Sequence, residues 1–341
     1  MSARALRTLS KTPPQYWPSE GSPLLREVIA GHLSSTRAVA SQAQGVLVTA
    51  GAQQAFDLLA RVLVTPGNTV VAVEDPGYPP LREAFAMHGA RLAYVPVDDE
   101  GIIVEQIPAN ARVVCVTPSH QFPTGVVMSV RRRAALLAFS RANEACIVED
   151  DYDSEFRYDG RPLEALQTLD RDDLVFYLGT FSKSLFPALR IGFIIMPQCA
   201  SLALTRAEKL TDWHAPIHTQ ETLASFIREG HFDRHARKKR RIYAERRTIL
   251  MDALETQCVG VLSPMTSTAG LHIGVRYQGK RELESYLLNA AQRGLAFETF
   301  ARYSYSGLKQ NGLALGYSSI TWVSIREGIE ILHGILTAKP L

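Results

Sequence analysis

The sequence predicts an α/β fold built on a mostly parallel sheet, and three observations carry that prediction. Short apolar runs that read as buried strands alternate with segments of helical period from residue 46 to residue 197. The polar motifs of this region each follow a strand, where sheets of this kind collect their sites. Beyond residue 197 the alternation gives way to long helical segments and a few strands, the pattern of a smaller α+β domain. We therefore expect residues 1–40 to belong to the small domain and to a dimer arm, residues 41–205 to form the large domain, and residues 206–341 to form the C-terminal small domain.

In order, the reading begins with a basic segment, Pro13-Pro14, and a turn at 16–21. Pro23 then opens a helix whose apolar residues, Leu24, Leu25, Val28, Ile29 and Leu33, recur at helical spacing. This stretch cannot close a core alone, so it must pack on a later part of the chain or on a second copy. A strand at 46–49 turns through Gly51 into an amphipathic helix carrying Phe56, Leu58, Leu59, Val62 and Leu63. Strands follow at 69–73, 91–97, 113–117, 146–149 and 174–178, with helices at 81–89 and 131–143. The second part is read as a long helix through 228–247, a strand at 271–275, a helix at 281–293, a segment at 295–300, a polar loop at 303–312 leading into a strand at 312–317, and a closing helix at 325–336.

Composition removes several classes of function. The 341 residues are 46% hydrophobic, and 37 basic against 34 acidic residues leave a net charge of +3. No apolar run approaches the ~18 residues of a membrane span. The first ten residues, with Arg4 and Arg7, lack an apolar signal-peptide core, so a cytoplasmic location is expected. The four cysteines are scattered and form no C-x-x-C pair, which argues against a zinc site or a disulfide framework. His214/His218 and His231/His235 have the spacing of a helical metal site, but the first pair encloses Pro216 and neither encloses the glutamate of H-E-x-x-H. Arginines and lysines crowd 228–247, yet Glu229, Asp233 and Glu245 are interspersed and Ile227, Phe232, Ile242 and Tyr243 supply an apolar side. A solvated helix rather than a nucleic-acid surface is expected there.

Chemistry concentrates around Lys183, which follows the 174–178 strand among Thr180, Ser182 and Ser184, with Arg190 seven residues on. A lysine that is partly buried beside another cation is suited to condense with a carbonyl. The hydroxyls and the guanidinium fork of Arg190 suit a phosphate. An aldehyde and a phosphate together describe pyridoxal phosphate. The glycine turn at Gly51, with the free N–H groups of a helix start, is a natural second phosphate contact. The acids at 149–155 end a strand and require a cation; Asp150 is placed on the cofactor's ring nitrogen, Tyr152 on its phenolic oxygen, and Asp151 and Asp153 at the surface or in salt bridges.

The runs EDDYDSEFRYDGRPL at 149–163 and LGTFSKSLFPALR at 178–190, with TAGAQQA at 49–55, EDPGYP at 74–79 and TPSHQFPTG at 117–125, closely resemble the aminotransferase-like domain of the MocR/GabR regulators. These are relatives of the fold-type I, class I/II aminotransferases. The resemblance spans nearly the whole chain. It implies that Lys183 forms the Schiff base and shuttles a proton, that Asp150 and Tyr152 hold the ring nitrogen and the phenolic oxygen, and that Tyr78 stacks on the ring. It implies a phosphate site of Gly51, Ala52, Gln53, Ser182, Thr180 and Arg190, joined by Tyr16 reaching across a homodimer interface.

Three departures from ordinary class I enzymes bear on function. Phe122 stands where an asparagine is usual, so His120 or Gln121 must replace that donor. Ala314 stands where an arginine would clamp a substrate carboxylate, and Arg302 is taken as its substitute. The regulators carry an N-terminal winged helix-turn-helix, and this chain begins about where their linker would end, so no DNA binding by this chain alone is expected. The resemblance thus implies an aminotransferase acting on an amino acid or amine, or alternatively an effector domain that senses such a molecule with little turnover.

Overall fold

The computed structural model describes all residues except 12–14, 40, 160–163, 266, 308–310 and 339–341. The Pro13-Pro14 turn, the end of the 149–163 run and the middle of the 303–312 loop lie outside the described residues. The chain runs α1 (Ser2–Leu9), α2 (Pro23–Arg37), β1 (Val46–Thr49), α3 (Ala52–Leu63), β2 (Val70–Asp75), α4 (Pro79–Met87), β3 (Arg91–Asp98), β4 (Gly101–Ile102), β5 (Ala111–Val116), α5 (Val130–Asn143), β6 (Cys146–Asp151), α6 (Leu166–Leu169), β7 (Val175–Thr180) and β8 (Gly192–Ile195). It continues through α7 (Ser201–Thr211), α8 (Ile217–Arg228), α9 (His231–Gln257), β9 (Leu262–Pro264), β10 (His272–Tyr277), α10 (Leu287–Gln292), β11 (Glu298–Thr299), β12 (Gly312–Gly316) and α11 (Trp322–Thr337).

Eight strands form one sheet in the order β1-β8-β7-β6-β5-β2-β3-β4. The central pairings β7-β6-β5-β2-β3 are parallel, and β8 and β4 join antiparallel. Strands β1, β2, β7 and β8 are buried along their whole length, which is why they read as continuous apolar runs rather than alternating ones. Leu47, Val71, Val148, Leu178 and Ile194 meet Phe56, Leu59 and Phe85 of α3 and α4 on one face. Val46, Val48, Tyr177, Phe193 and Ile195 meet Leu25, Ile29, Leu33 and Leu223 on the other. The N-terminal helix therefore packs differently from the expectation: α2 belongs to the core of the large sheet, not to the small domain. Its start is fixed by Pro23 and by Ser22, whose hydroxyl accepts from the Leu25 N–H at 3.3 Å.

The small domain is a four-stranded antiparallel sheet, β11-β12-β10-β9, packed on α9 and α11. The predicted helix at 281–293 is interrupted, a 3-10 turn at Leu283–Tyr286 preceding the short α10. Helix α1 was not foreseen; it packs on α8, where Ser2 Oγ meets His218 Nε2 at 3.0 Å and Arg4 pairs with Glu229. At 27 residues α9 spans about 40 Å. Its arginines are partly used by the fold: Arg240 donates to the Glu155 carbonyl at 2.8 Å, Arg246 to that of Ser318, and Arg247 to that of Ser267. Among the described residues no helix is long and apolar enough to cross a membrane.

Candidate active site

Strands β6 and β7 end side by side, with Asp150 opposite Leu178 and Asp151 opposite Gly179. Successive residues of a strand point to opposite faces, so Asp150 and Asp151 part company. Asp151 turns to the α2 side, where Arg37 Nη2 lies 2.9 Å from its Oδ2 and the Tyr177 hydroxyl donates to the same oxygen at 2.6 Å. Asp150 is only 5% exposed, yet its side chain takes no hydrogen bond from any described residue. Burial pushes its carboxyl up to about 8, Asp151, Asp153 and Glu74 push the same way, and the Lys183 ammonium pulls it back.

The surroundings of Asp150 are organised by non-local pairs. Asp153 and Asp151, expected at the surface or in salt bridges, are both buried and both paired. Asp153 Oδ2 lies 3.0 Å from His120 Nδ1, which is also 3.0 Å from the Tyr152 hydroxyl; that hydroxyl donates to the His120 carbonyl at 2.9 Å. His120, one of the two substitutes considered for the missing asparagine, thus anchors Tyr152. The other, Gln121, is turned away, its amide donating to the Pro76 carbonyl at 2.8 Å and to Glu74 at 3.2 Å. Glu74 also accepts from the Thr117 hydroxyl, and burial pushes its carboxyl up to about 7. His272, on β10, stacks over His120 with ring centroids 4.4 Å apart and donates to the Pro123 carbonyl at 3.1 Å, while burial holds it neutral. Neither Glu74 nor His272 was marked as functional by sequence; the pairing partner of His272 lies 149 residues away. Gly270 completes this wall, because a Cβ there would lie 1.9 Å from the His120 ring.

On the other side of the site, Gly51 adopts φ +86 and caps α3 with no side-chain partner for the first N–H groups. The Arg190 guanidinium lies directly over it: a Cβ on Gly51 would come within 2.7 Å of Arg190 Nη2, which donates to the Ala50 carbonyl at 2.8 Å. Arg190 over Gly51 makes an anion cup at the start of α3, which Ala52 and Gln53 begin, and Thr180, paired with Gly192 beside Gly51, stands at its edge and accepts from the Ser182 N–H at 3.2 Å. The Lys183 side chain is exposed rather than partly buried as expected, between the buried Phe181 and Ser184. Tyr78 is 40% exposed and packs against Phe56 and Phe122, with ring centroids at 6.2 and 5.7 Å; burial pushes its hydroxyl up, Asp150 pushes the same way and Arg190 pulls it back.

Two expected residues lie outside this grouping. Tyr16 is exposed and stacks on Trp213 at 4.6 Å. Arg302 has a side chain 69% exposed, and its Nη1 reaches both oxygens of Glu298, at 2.9 and 2.7 Å. The segment that follows is nevertheless tied to the site. Gly77 donates to the Tyr303 carbonyl at 3.1 Å, and the Asp75 carboxylate accepts from the N–H groups of Tyr305 and Ser306 at 2.9 Å each. The Arg82 guanidinium lies 4.1 Å from the Tyr305 ring centroid, and Phe122 packs on Tyr303 at 4.8 Å.

These residues fit pyridoxal phosphate: an unpartnered buried carboxylate for a protonated ring nitrogen, a glycine-lined anion cup and a lysine between them. Comparison with known proteins agrees. The family model for aminotransferase class I and II matches residues 3–298. The chain is 37% identical over 319 residues to the probable rhizopine catabolism regulatory protein MocR of Rhizobium meliloti, covering 93% of this chain and 64% of the relative. It is 34% identical to the pyridoxine biosynthesis transcriptional regulator PdxR of Corynebacterium glutamicum, covering 92% and 68%. It is 28% identical to aromatic-amino-acid aminotransferase 1 of Thermococcus litoralis, covering 93% and 78%. The chain thus spans about two thirds of the length of these regulators. Among solved structures, LysN, the α-aminoadipate aminotransferase of Thermus thermophilus complexed with N-(5'-phosphopyridoxyl)-L-leucine, superposes with a TM-score of 0.88 at 28% identity, covering 98% of this chain and 86% of that one. The fold is that of the fold-type I pyridoxal phosphate enzymes, with pyridoxal phosphate as cofactor, and the chain belongs to the aminotransferase class I and II family.

Proposed function

We propose that this chain carries out amino-group transfer from an amino acid or amine, with Lys183 as the group that condenses with the cofactor and moves the proton. The observation that carries this reading is Asp150, buried, without a donor among the described residues and within electrostatic reach of the Lys183 ammonium. When bound, the cofactor supplies an aldehyde for amines and a ring that accepts an electron pair. Asp150 would keep the ring nitrogen protonated, and Lys183 Nζ would be the base that takes the proton from the substrate's Cα and the acid that returns it. Tyr152, held by His120 and Asp153, donates to the phenolic oxygen, and Tyr78 stacks on the ring. Gly51, Ala52, Gln53, Thr180, Ser182 and Arg190 hold the phosphate, and Tyr16 contributes from the second subunit of a homodimer. Arg302 must share its guanidinium with Glu298, which holds its Nη1, if it takes a substrate carboxylate.

That last requirement favours a second reading, in which the chain is the effector domain of a MocR-type regulator and binds an amine without completing turnover. The regulators MocR and PdxR among its relatives support it. One experiment separates the two. Cofactor-loaded protein is mixed with a panel of amino acids while keto acid and pyridoxamine phosphate are measured. Accumulation of both products establishes transfer; a spectral change without products assigns the effector role; and no visible cofactor band in the wild-type protein refutes both.

A further inference from the structure

Behind the sheet, on the face opposite Asp150, lies a cavity of about 410 Å³ between α2, α9 and the ends of β6 and β7. Ile29, Leu33, Phe181 and Phe193 give it an apolar wall. Its charged side chains are unevenly matched: four guanidiniums, Arg37, Arg157, Arg237 and Arg240, face three carboxylates, Asp151, Glu155 and Asp233. Arg37 is engaged with Asp151, and Asp233, its side chain 54% exposed, sits beside His32 at the rim. Burial pushes Glu155 up to about 7, so much of its charge is gone at neutral pH. Arg240 is bonded only to the Glu155 carbonyl, and among the described residues neither Arg157 nor Arg237 has a carboxylate within ion-pair distance. The Arg157 Nε is buried with no hydrogen-bond partner among the described residues. A buried guanidinium nitrogen left without an acceptor is costly unless something else fills the place.

We propose that this cavity is a binding site, separate from the cofactor cup, for a small organic anion whose carboxylate or phosphate group meets Arg157 and Arg237 and whose apolar body lies against Leu33 and Phe181. Guanidinium forks match both oxyanions, and a pocket of this volume with an apolar wall and a few converging polar groups has the make-up of a small-molecule site. The site gives part of the basic run on α9 a ligand other than solvent. It also abuts Gly179, Thr180 and Phe181, the strand end that leads directly into Lys183.

The test uses cofactor-loaded protein, in which the phosphate cup is already filled, titrated calorimetrically with benzoate and with phenyl phosphate. At least one probe is expected to bind with one site per chain, and the stronger of the two identifies the head group. Arg157→Gln/Arg237→Gln is expected to weaken that binding by about tenfold or more, the loss that follows removal of charge-assisted hydrogen bonds. Thr36→Trp, which obstructs the cavity rim without removing charge, is expected to weaken it as well, and both variants should keep the cofactor's visible band. Unchanged binding in both variants, or no heat from either probe up to about 10 mM, a Kd worth little more than 2 to 3 kcal/mol, overturns the proposal. Loss of the band in wild-type protein would instead count against the cofactor site, so the two failures are distinguishable.

Discussion

Asp150 and Asp151 are neighbours on one strand and have opposite fates. Asp151 is built into the fold by Arg37 and Tyr177, whereas Asp150 is equally buried and is given no protein donor. The difference separates a carboxylate that holds the structure together from one that the structure holds ready. Asp153, two residues on, is intermediate: it is paired, but with His120, which itself supports Tyr152.

The sharpest test lies beside that comparison. Lys183→Ala is expected to abolish the visible cofactor band completely while leaving the fold intact, as read by circular dichroism; retention of the band would remove Lys183 from the site. Asp151→Ala should cost about 3–5 kcal/mol in denaturant unfolding, because it removes the carboxylate paired with the buried Arg37 charge, yet spare the band. If stability is unaffected and the band is lost, the two aspartates have exchanged roles. Asp153→Asn is expected to cost less, about 1–3 kcal/mol, through the weakened hold on His120.

A pH dependence distinguishes Asp150 by sign. Its carboxyl lies at about 8 in the fold against an ordinary 3.8, so the folded cofactor-free chain holds a proton that the unfolded chain has lost between those values. Stability should therefore fall as pH rises through that window. Asp150→Asn should make the slope shallower without flattening it, since Glu74, raised to about 7, slopes the same way and remains. Thermal unfolding of the cofactor-free protein from pH 5 to 8 reads this directly, and an unchanged slope would show that Asp150 is ionised in the fold. The smallest effect is expected at Ser184, whose buried hydroxyl has no partner among the described residues: Ser184→Ala should change stability by no more than about 0.5 kcal/mol, and any change should be in the stabilising direction.

How much of this was legible in the sequence depends on how far each feature reaches. The strands of the large sheet were legible because burial on both faces makes them continuous apolar runs. Lys183, Asp150 and Gly51 were legible because each follows such a run, at the sheet's carboxyl edge. His120 was singled out only as a possible replacement donor, and its bond to Asp153 spans 33 positions that no periodicity connects. His272 gave no signal at all, and Glu74 only as the first residue of the EDPGYP run. By contrast, the engagement of Arg302 is local: Glu298, four residues earlier on β11, meets it across the 3-10 turn Phe300–Tyr303. The placement of α2 under the large sheet could not be read, since an amphipathic helix records that it has a partner but not which one.

The Asp75 carboxylate, gripping the backbone of Tyr305 and Ser306 while Gly77 grips Tyr303, joins the loop that bears Tyr78 to the segment leading into β12. Three hydrogen bonds to main-chain groups therefore cross between the two, so a displacement of residues 303–306 pulls on the loop that bears Tyr78 before it pulls on any residue of the large sheet's strands other than Asp75.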